Sequence, residues 1–540
     1  MTNSLITYVM ASPRLLSQGT LLVFAFSCAL SVQPAMAANW FKLRGTEPGN
    51  VPHAVKFFGF IQPTYVREYN DRISGAVGAL AGNTVAGTTG PDANGKQQVP
   101  GTIPPDREHY KELYLRRARL GARGTVLPLS EDIDYFLMAE FGDNGVTRDD
   151  QTARLLDASM TFNQLSRGTD ENGLANLGAR FRLGQFLFSE TSEALSHSTP
   201  ARRIHVFMPE MTFQNAIRRM ASDNGRFNFP DSVPANAARD IGVEVFDWVE
   251  FPATSGGPWE FTYAAALGNG TTLDEWNRDD NYRQYYWLSF GKLFDKTRGP
   301  RRHDVMLYGF LQKGDITFNT DIDGDGIDDL SVAGGEYNPA GPVDIITGES
   351  IGPVSPGTRV VKNGSQRDYD QRYWGIGVEY FDKPFEDLGQ LRFEAEFSRV
   401  DGLIFDGAQF PSVAANQQNG GFESIRYDTD GRNQGWYVDV GYDIQQHLGL
   451  KRRTTVNVRY DEYDRNRGNE AREANWNIWT LTGEYFFSKY GRATVTYQWR
   501  DVNADNRSGA AKTNGNAVLE GVNQRLGLQL TLFFSHVPGQ

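Results

Sequence analysis

Along most of the chain apolar and polar residues alternate one by one, in segments of about ten residues bounded by Gly, Asn, Asp and Pro. A strand points successive side chains to opposite faces, so this alternation makes one face greasy and the other wet. Near the end, Leu526, Leu528, Leu530, Leu532 and Phe534 interleave with Arg525, Gly527, Gln529 and Thr531. Ala493, Val495, Tyr497 and Trp499 do the same with Arg492, Thr494, Thr496, Gln498 and Arg500. The pattern predicts strands near 55–67, 111–126, 133–142, 154–163, 178–187, 239–249, 258–268, 283–292, 303–314, 369–381, 389–400, 434–445, 452–463, 475–487, 491–502 and 523–534.

These are sixteen, an even number, and the connections alternate in length. After odd-numbered strands they are mostly long, with 68–110, 187–238, 315–368 and 401–433 the extremes, and after even-numbered strands mostly short, such as 127–132, 382–388 and 488–490. Short turns on one side and long loops on the other are the parity of a transmembrane barrel, with the turns periplasmic and the loops extracellular. The expected fold is therefore all-β, a 16-stranded antiparallel transmembrane barrel in the bacterial outer membrane, in contact with its lipid. Aromatic residues at strand ends, among them Tyr65, Tyr69, Trp248, Trp259, Tyr442, Tyr460, Tyr485 and Trp499, are expected at the membrane interface.

The N-terminus has a different character. Arg14 precedes an apolar run from Leu21 to Leu30, and Ala35-Met36-Ala37 follows as a small-x-small cleavage site. That run is about half of the roughly 20 residues a membrane helix needs. Residues 1–37 are thus expected to be a cleaved signal peptide, 38–54 a periplasmic extension, and 55–540 the barrel. The single cysteine, Cys28, lies in the leader, so the mature chain has no disulfide and no cysteine metal site. The formal charge of the chain is -12, and removing the leader takes away Arg14 and no acid. An acidic chain lacks the basic footprint of a nucleic-acid binder.

Leu115-Arg116-Arg117-Ala118-Arg119-Leu120-Gly121 resembles the second-strand motif of the phosphate-selective porin O and P family. Further similar motifs follow in order: Phe181-Arg182-Leu183-Gly184-Gln185-Phe186, Leu267-Gly268-Asn269-Gly270, Gly435-Trp436-Tyr437-Val438, Val458-Arg459-Tyr460-Asp461 and Leu481-Thr482-Gly483-Glu484-Tyr485. The resemblance implies an outer-membrane anion porin: a homotrimer of sixteen-stranded barrels, with lumen arginines that attract phosphate or other small anions and an inward-folded third loop. The usual outer-membrane pattern of an aromatic last residue is not followed, since Ser535–Gln540 come after Phe534.

If the polar face of each strand lines the lumen, the candidate anion pathway is Arg117, Arg119, Arg123, Arg180, Arg182, Arg459, Arg492, Arg500 and Arg525. Guanidinium groups stay charged and offer planar, paired donors, which suits phosphate. The same face carries Asp134, Glu140, Asp157, Asp240, Glu244, Glu260, Asp304, Glu379, Glu394, Glu396, Asp439 and Asp461. Of the lumen arginines only Arg392 falls on the strands between 239 and 445, which hold most of these acids. Closure of the barrel then sets a basic wall against an acidic one, and the bland alternative is that the two signs pair.

The third long loop, 187–238, carries Arg202, Arg203, Arg218 and Arg219 beside Glu190, Glu193 and Glu210, and is the candidate constriction. In the loop after residue 314, Asp321, Asp323, Asp325 and Asp329 stand at positions one, three, five and nine of an oxygen-ligand calcium loop. Position twelve is Val332 in place of the expected Glu, so the readings are an incomplete Ca2+ site that stiffens the loop, or a solvated acidic turn. No cofactor is required. The chain is not expected to be an enzyme: His197 and His205, near Ser196 and Ser198, are the only nucleophile–base pair in prospect and lack a partner to orient the base. The expected function is a water-filled channel for small charged solutes that prefers anions. The alternatives are a weakly selective or organic-solute pore, and a structural or adhesive barrel.

Overall fold

A computed structural model describes residues 55–69, 111–142, 153–197, 205–207, 239–270, 281–295, 303–318, 331–332, 367–383, 389–409, 424–470, 473–488, 490–509, 512–513, 516 and 523–536. Its strands are β1 (Lys56–Tyr69), β2 (Lys111–Thr125), β3 (Ile133–Glu140), β4 (Arg154–Leu165), β5 (Ala179–Leu187), β6 (Arg239–Phe251), β7 (Trp259–Gly268), β8 (Arg283–Leu293), β9 (Asp304–Phe318), β10 (Ser331–Val332), β11 (Arg367–Asp382), β12 (Leu391–Gln409), β13 (Ser424–Asp443), β14 (Thr454–Arg465), β15 (Ala474–Ser488), β16 (Gly491–Asn503) and β17 (Gln524–His536). A short helix, α1 (Ser192–His197), follows β5.

Each long strand pairs antiparallel with its predecessor, β11 pairs with β9, and β1 closes the ring by pairing with both β2 and β17. Sixteen long strands thus form a closed barrel, as the alternation predicts. Closure continues the ladders around the ring and leaves no edge strand, which is what a sheet in lipid requires. The two-residue β10 is extra; it lies parallel to β13, and two residues show no periodicity to read. The β12–β13 hairpin extends to Gln409 and Ser424, well past the expected limits of 400 and 434. Register shifts between Gly402 and Ile404 and between Phe405 and Gly407 break the alternation there.

Burial is inverted relative to a soluble protein. On β14 the outward Val456 and Val458 are exposed, while the inward Asn457, Arg459 and Asp461 are buried. The outward set continues around the ring with Leu481, Val495, Leu528, Leu120, Leu183, Val243, Leu288 and Leu307, a band that only lipid can cover. This architecture is that of an outer-membrane protein.

The backbone requires glycine at position 184. Gly184 on β5 has φ 125, and a Cβ there would strike the Ala158 carbonyl of β4. Gly184→Ala is therefore expected to cost about 1–3 kcal/mol. The guanidinium midpoint of the refolded barrel checks this.

Candidate functional site: the lumen and the strap after β5

The inward face of β2 begins with an irregularity. Pro63 on β1 has no N–H to give the ladder, and the register between the two strands slips there, Gln62 facing Arg117 and Pro63 facing Leu115. Arg116 is the extra residue of this bulge. Alternation from Arg117 and Arg119 would send Arg116 into lipid; instead it is buried and its Nη1 donates to the Val206 carbonyl. The sequence pattern missed it because the cause sits on the partner strand.

The anion-pathway arginines point inward as expected, and most meet carboxylates. Arg119 Nε lies 2.7 Å from Glu140, Arg182 Nη1 3.0 Å from Glu244, Arg492 Nη1 2.7 Å from Glu484 and Arg500 Nη2 2.8 Å from Glu68. Arg180 bonds Asp247 at 3.2 Å and Asn163 at 2.7 Å. Arg459 bonds Asp461 at 2.6 Å and Glu193 at 2.8 Å. Arg525 donates to Gln498 at 2.6 Å and lies 3.8 Å from Glu68. Arg117 reaches Gln62 Oε1 at 3.4 Å, and Arg123 stands 5.6 Å over the Phe58 ring.

Two corrections follow from register. The strands between 239 and 445 are not limited to Arg392 for their inward arginines: Arg239 bonds Asp157 at 3.1 Å and Arg283 bonds Gln371 at 2.9 Å, both buried. Both open a strand next to a loop, where alternation is too short to assign a face. Trp248 is not at the lipid interface; on β6 it shares the inward face with Phe246, and the Arg180 guanidinium lies 4.4 Å over its ring. Inward aromatics extend further, with Trp287 stacked on Tyr308 at 4.8 Å and Phe310 against Tyr373 at 5.0 Å. Since Tyr285-Tyr286-Trp287-Leu288 is apolar on both faces, the sequence offers no contrast by which to choose one.

The described part of the loop after β5 lies against these inward faces as a strap. Leu187, Ala194 and Leu195 pack with Phe246, Trp248, Trp287 and Tyr308. Ser192 gives its N–H to Glu396 at 2.8 Å and its hydroxyl to Glu379 at 2.5 Å. Glu396 and Glu394 also accept from Tyr308 and Tyr437, each at 2.5 Å. Farther along, His205 bridges Asp439 at 2.9 Å and Thr482 at 2.8 Å. The structure thus gives His205 a carboxylate partner that the sequence did not show. Beside this contact lies a neutral wall: Gln62 donates to Gln529 at 3.2 Å, Gln529 to Thr64 at 2.9 Å, and Gln498 to Thr480 at 2.8 Å.

Arg202, Arg203, Arg218 and Arg219 lie outside the described residues, as do Asp321, Asp323, Asp325 and Asp329. Among the described residues no cluster of three or more His, Cys, Asp or Glu is arranged to hold a metal ion.

Solved structures that match most of this chain include outer-membrane proteins. OmpT of Vibrio cholerae, in its trimer form, is 10% identical over 90% of this chain and 100% of its own, with a TM-score of 0.39. An anion-selective porin from Comamonas acidovorans is 12% identical over 89% and 99%, with a TM-score of 0.41. OprB of Pseudomonas putida is 10% identical over 89% and 94%, with a TM-score of 0.42. No family model and no curated protein matches the sequence.

Proposed function

We propose that the protein is a passive outer-membrane channel for small charged solutes, with an anion preference set by one wall of the lumen. The observation that carries the preference is the concentration of guanidinium groups where the ring closes: Arg117, Arg119 and Arg123 on β2, Arg492 and Arg500 on β16, and Arg525 on β17. Across the barrel, Glu379, Glu394, Glu396 and Asp439 belong to β11, β12 and β13. Opposed walls of this kind guide anions and cations along different sides of one bore. Phosphate as the preferred anion, assembly as a homotrimer and removal of residues 1–37 rest on the sequence reading and its resemblance to the O and P porins.

A second reading, a pore with weak sign preference, is favoured by the ion pairs. A guanidinium already bonded to a buried carboxylate contributes little net field to a passing ion. Reversal potential across a planar bilayer in a salt gradient separates the two. The wild type is expected to favour anions, and replacing Arg117 and Arg525 together by Gln should lower the anion-to-cation permeability ratio about twofold. A cation-favouring potential rejects anion preference and leaves the channel standing. Failure of millimolar phosphate to block chloride current favours the weak pore, and negligible conductance favours a structural or adhesive barrel whose loops are stiffened by Ca2+.

A further inference from the structure

The bulge at Pro63 and the strap meet at one place. Arg116 Nη1 donates to the carbonyl of Val206, and the N–H of the same residue donates to Thr496 Oγ1 at 3.2 Å. Both backbone groups of Val206 are therefore held by the wall, by β2 on one side and β16 on the other. The next residue, Phe207, lies under the Arg525 guanidinium at 3.9 Å. Gly527 on β17 leaves the room: a Cβ there would come within 2.9 Å of both Phe207 Cζ and Val206 Cγ1. Val206 is fully buried in this niche.

We propose that Arg116 is a positioning residue that pins the strap at Val206 and Phe207, and so sets the conductance of the pore separately from its ion preference. The inference rests on the channel reading. A side chain turned inward by a bulge, with its donor on a loop carbonyl, acts on the loop's position; the strap in turn occupies part of the bore. Three strands contribute to the pin, so loss of any one contact loosens the same element and has the same consequence. Thr496 and Phe207 carry no charge, which lets the positional effect be separated from an electrostatic one.

The test is single-channel recording of R116M, T496V and F207A beside the wild type. All three are expected to raise mean conductance and to increase open-state current variance about twofold, as a loop freed from its anchor samples more positions. T496V and F207A should keep the wild-type reversal potential. In a C28S background, V206C with G527C should form a disulfide, since a Cβ at position 527 would stand 2.9 Å from Val206 Cγ1, and oxidation should hold variance at the wild-type level even when R116M is added. If R116M shifts only the reversal potential while T496V and F207A behave as wild type, Arg116 acts through its charge and the proposal is overturned. Should R116M not fold, T496V, F207A and the crosslink decide the matter. A wild-type barrel without conductance rejects the channel reading itself; a conducting wild type indistinguishable from T496V and F207A rejects only the pin.

Discussion

Replacing Arg459 by Met is expected to destabilise the folded barrel by about 3–5 kcal/mol, the cost of leaving buried charges without their partner. Arg459 points inward from β14, bonds Asp461 on its own strand at 2.6 Å and Glu193 of the strap at 2.8 Å, and lies 3.8 Å over the Tyr437 ring. Tyr463 gives its hydroxyl to the same Asp461 oxygen at 2.8 Å. Asp461 is 0% exposed, so water does not replace the lost cation. Neutralising the acids should recover most of the loss, making the triple variant R459M/D461N/E193Q more stable than R459M alone. Guanidinium unfolding of vesicle-reconstituted protein measures each variant, and the cycle isolates the coupling. An R459M cost under about 1 kcal/mol, the range of a solvated pair, would show that water reaches this node.

The Arg459 node also marks the boundary of what the sequence makes legible. That Arg459 faces the lumen follows from alternation with Val456, Val458 and Tyr460. That its charge is paired with Glu193 does not, because Glu193 lies 266 positions away on a strap whose course no periodicity encodes. The same division holds elsewhere. Arg119 faces Glu140 and Arg182 faces Glu244 in directly opposed register, so each pair follows at once when the register is known and is invisible while it is not. A strand pattern fixes faces within one strand; register between strands depends on both strands and their turn.

Strand number and order were legible for a physical reason. Every membrane strand must show lipid an apolar face and every backbone group must find a partner, so the pattern repeats and its only closed solution is a ring. Where that demand lapses the pattern fails. Past residue 400 the β12–β13 hairpin shifts register twice, at Gly402 and at Phe405, and β8 is apolar on both faces, so its inward Trp287 looks no different from its outward Leu288. Arg116 is the sharpest case: its two neighbours in the alternation are assigned correctly, yet a proline on the opposite strand turns it around.

Placing an arginine on the outer face tests the assignment of lipid directly. Val458→Arg is expected to cost about 2–4 kcal/mol, whereas Glu462→Arg, farther along the same face, should cost about 0–1 kcal/mol. Val458 is 43% exposed and flanked in register by Val440 and Leu481, themselves outward and apolar, so its cross-strand neighbours offer the guanidinium no polar partner. Two steps on, the Tyr460 ring packs 4.8 Å from Trp479, and its hydroxyl reaches Glu462 at 3.4 Å. Aromatic rings of this kind mark the depth at which the apolar band gives way to headgroups. An arginine at 462 lies beyond them and extends to water; one at 458 lies beneath them and must snorkel or drag water inward. The comparison therefore depends on depth and not on charge alone. Equal costs at the two sites, measured by reversible unfolding from lipid vesicles, would mean that the band does not lie where the exposed side chains place it.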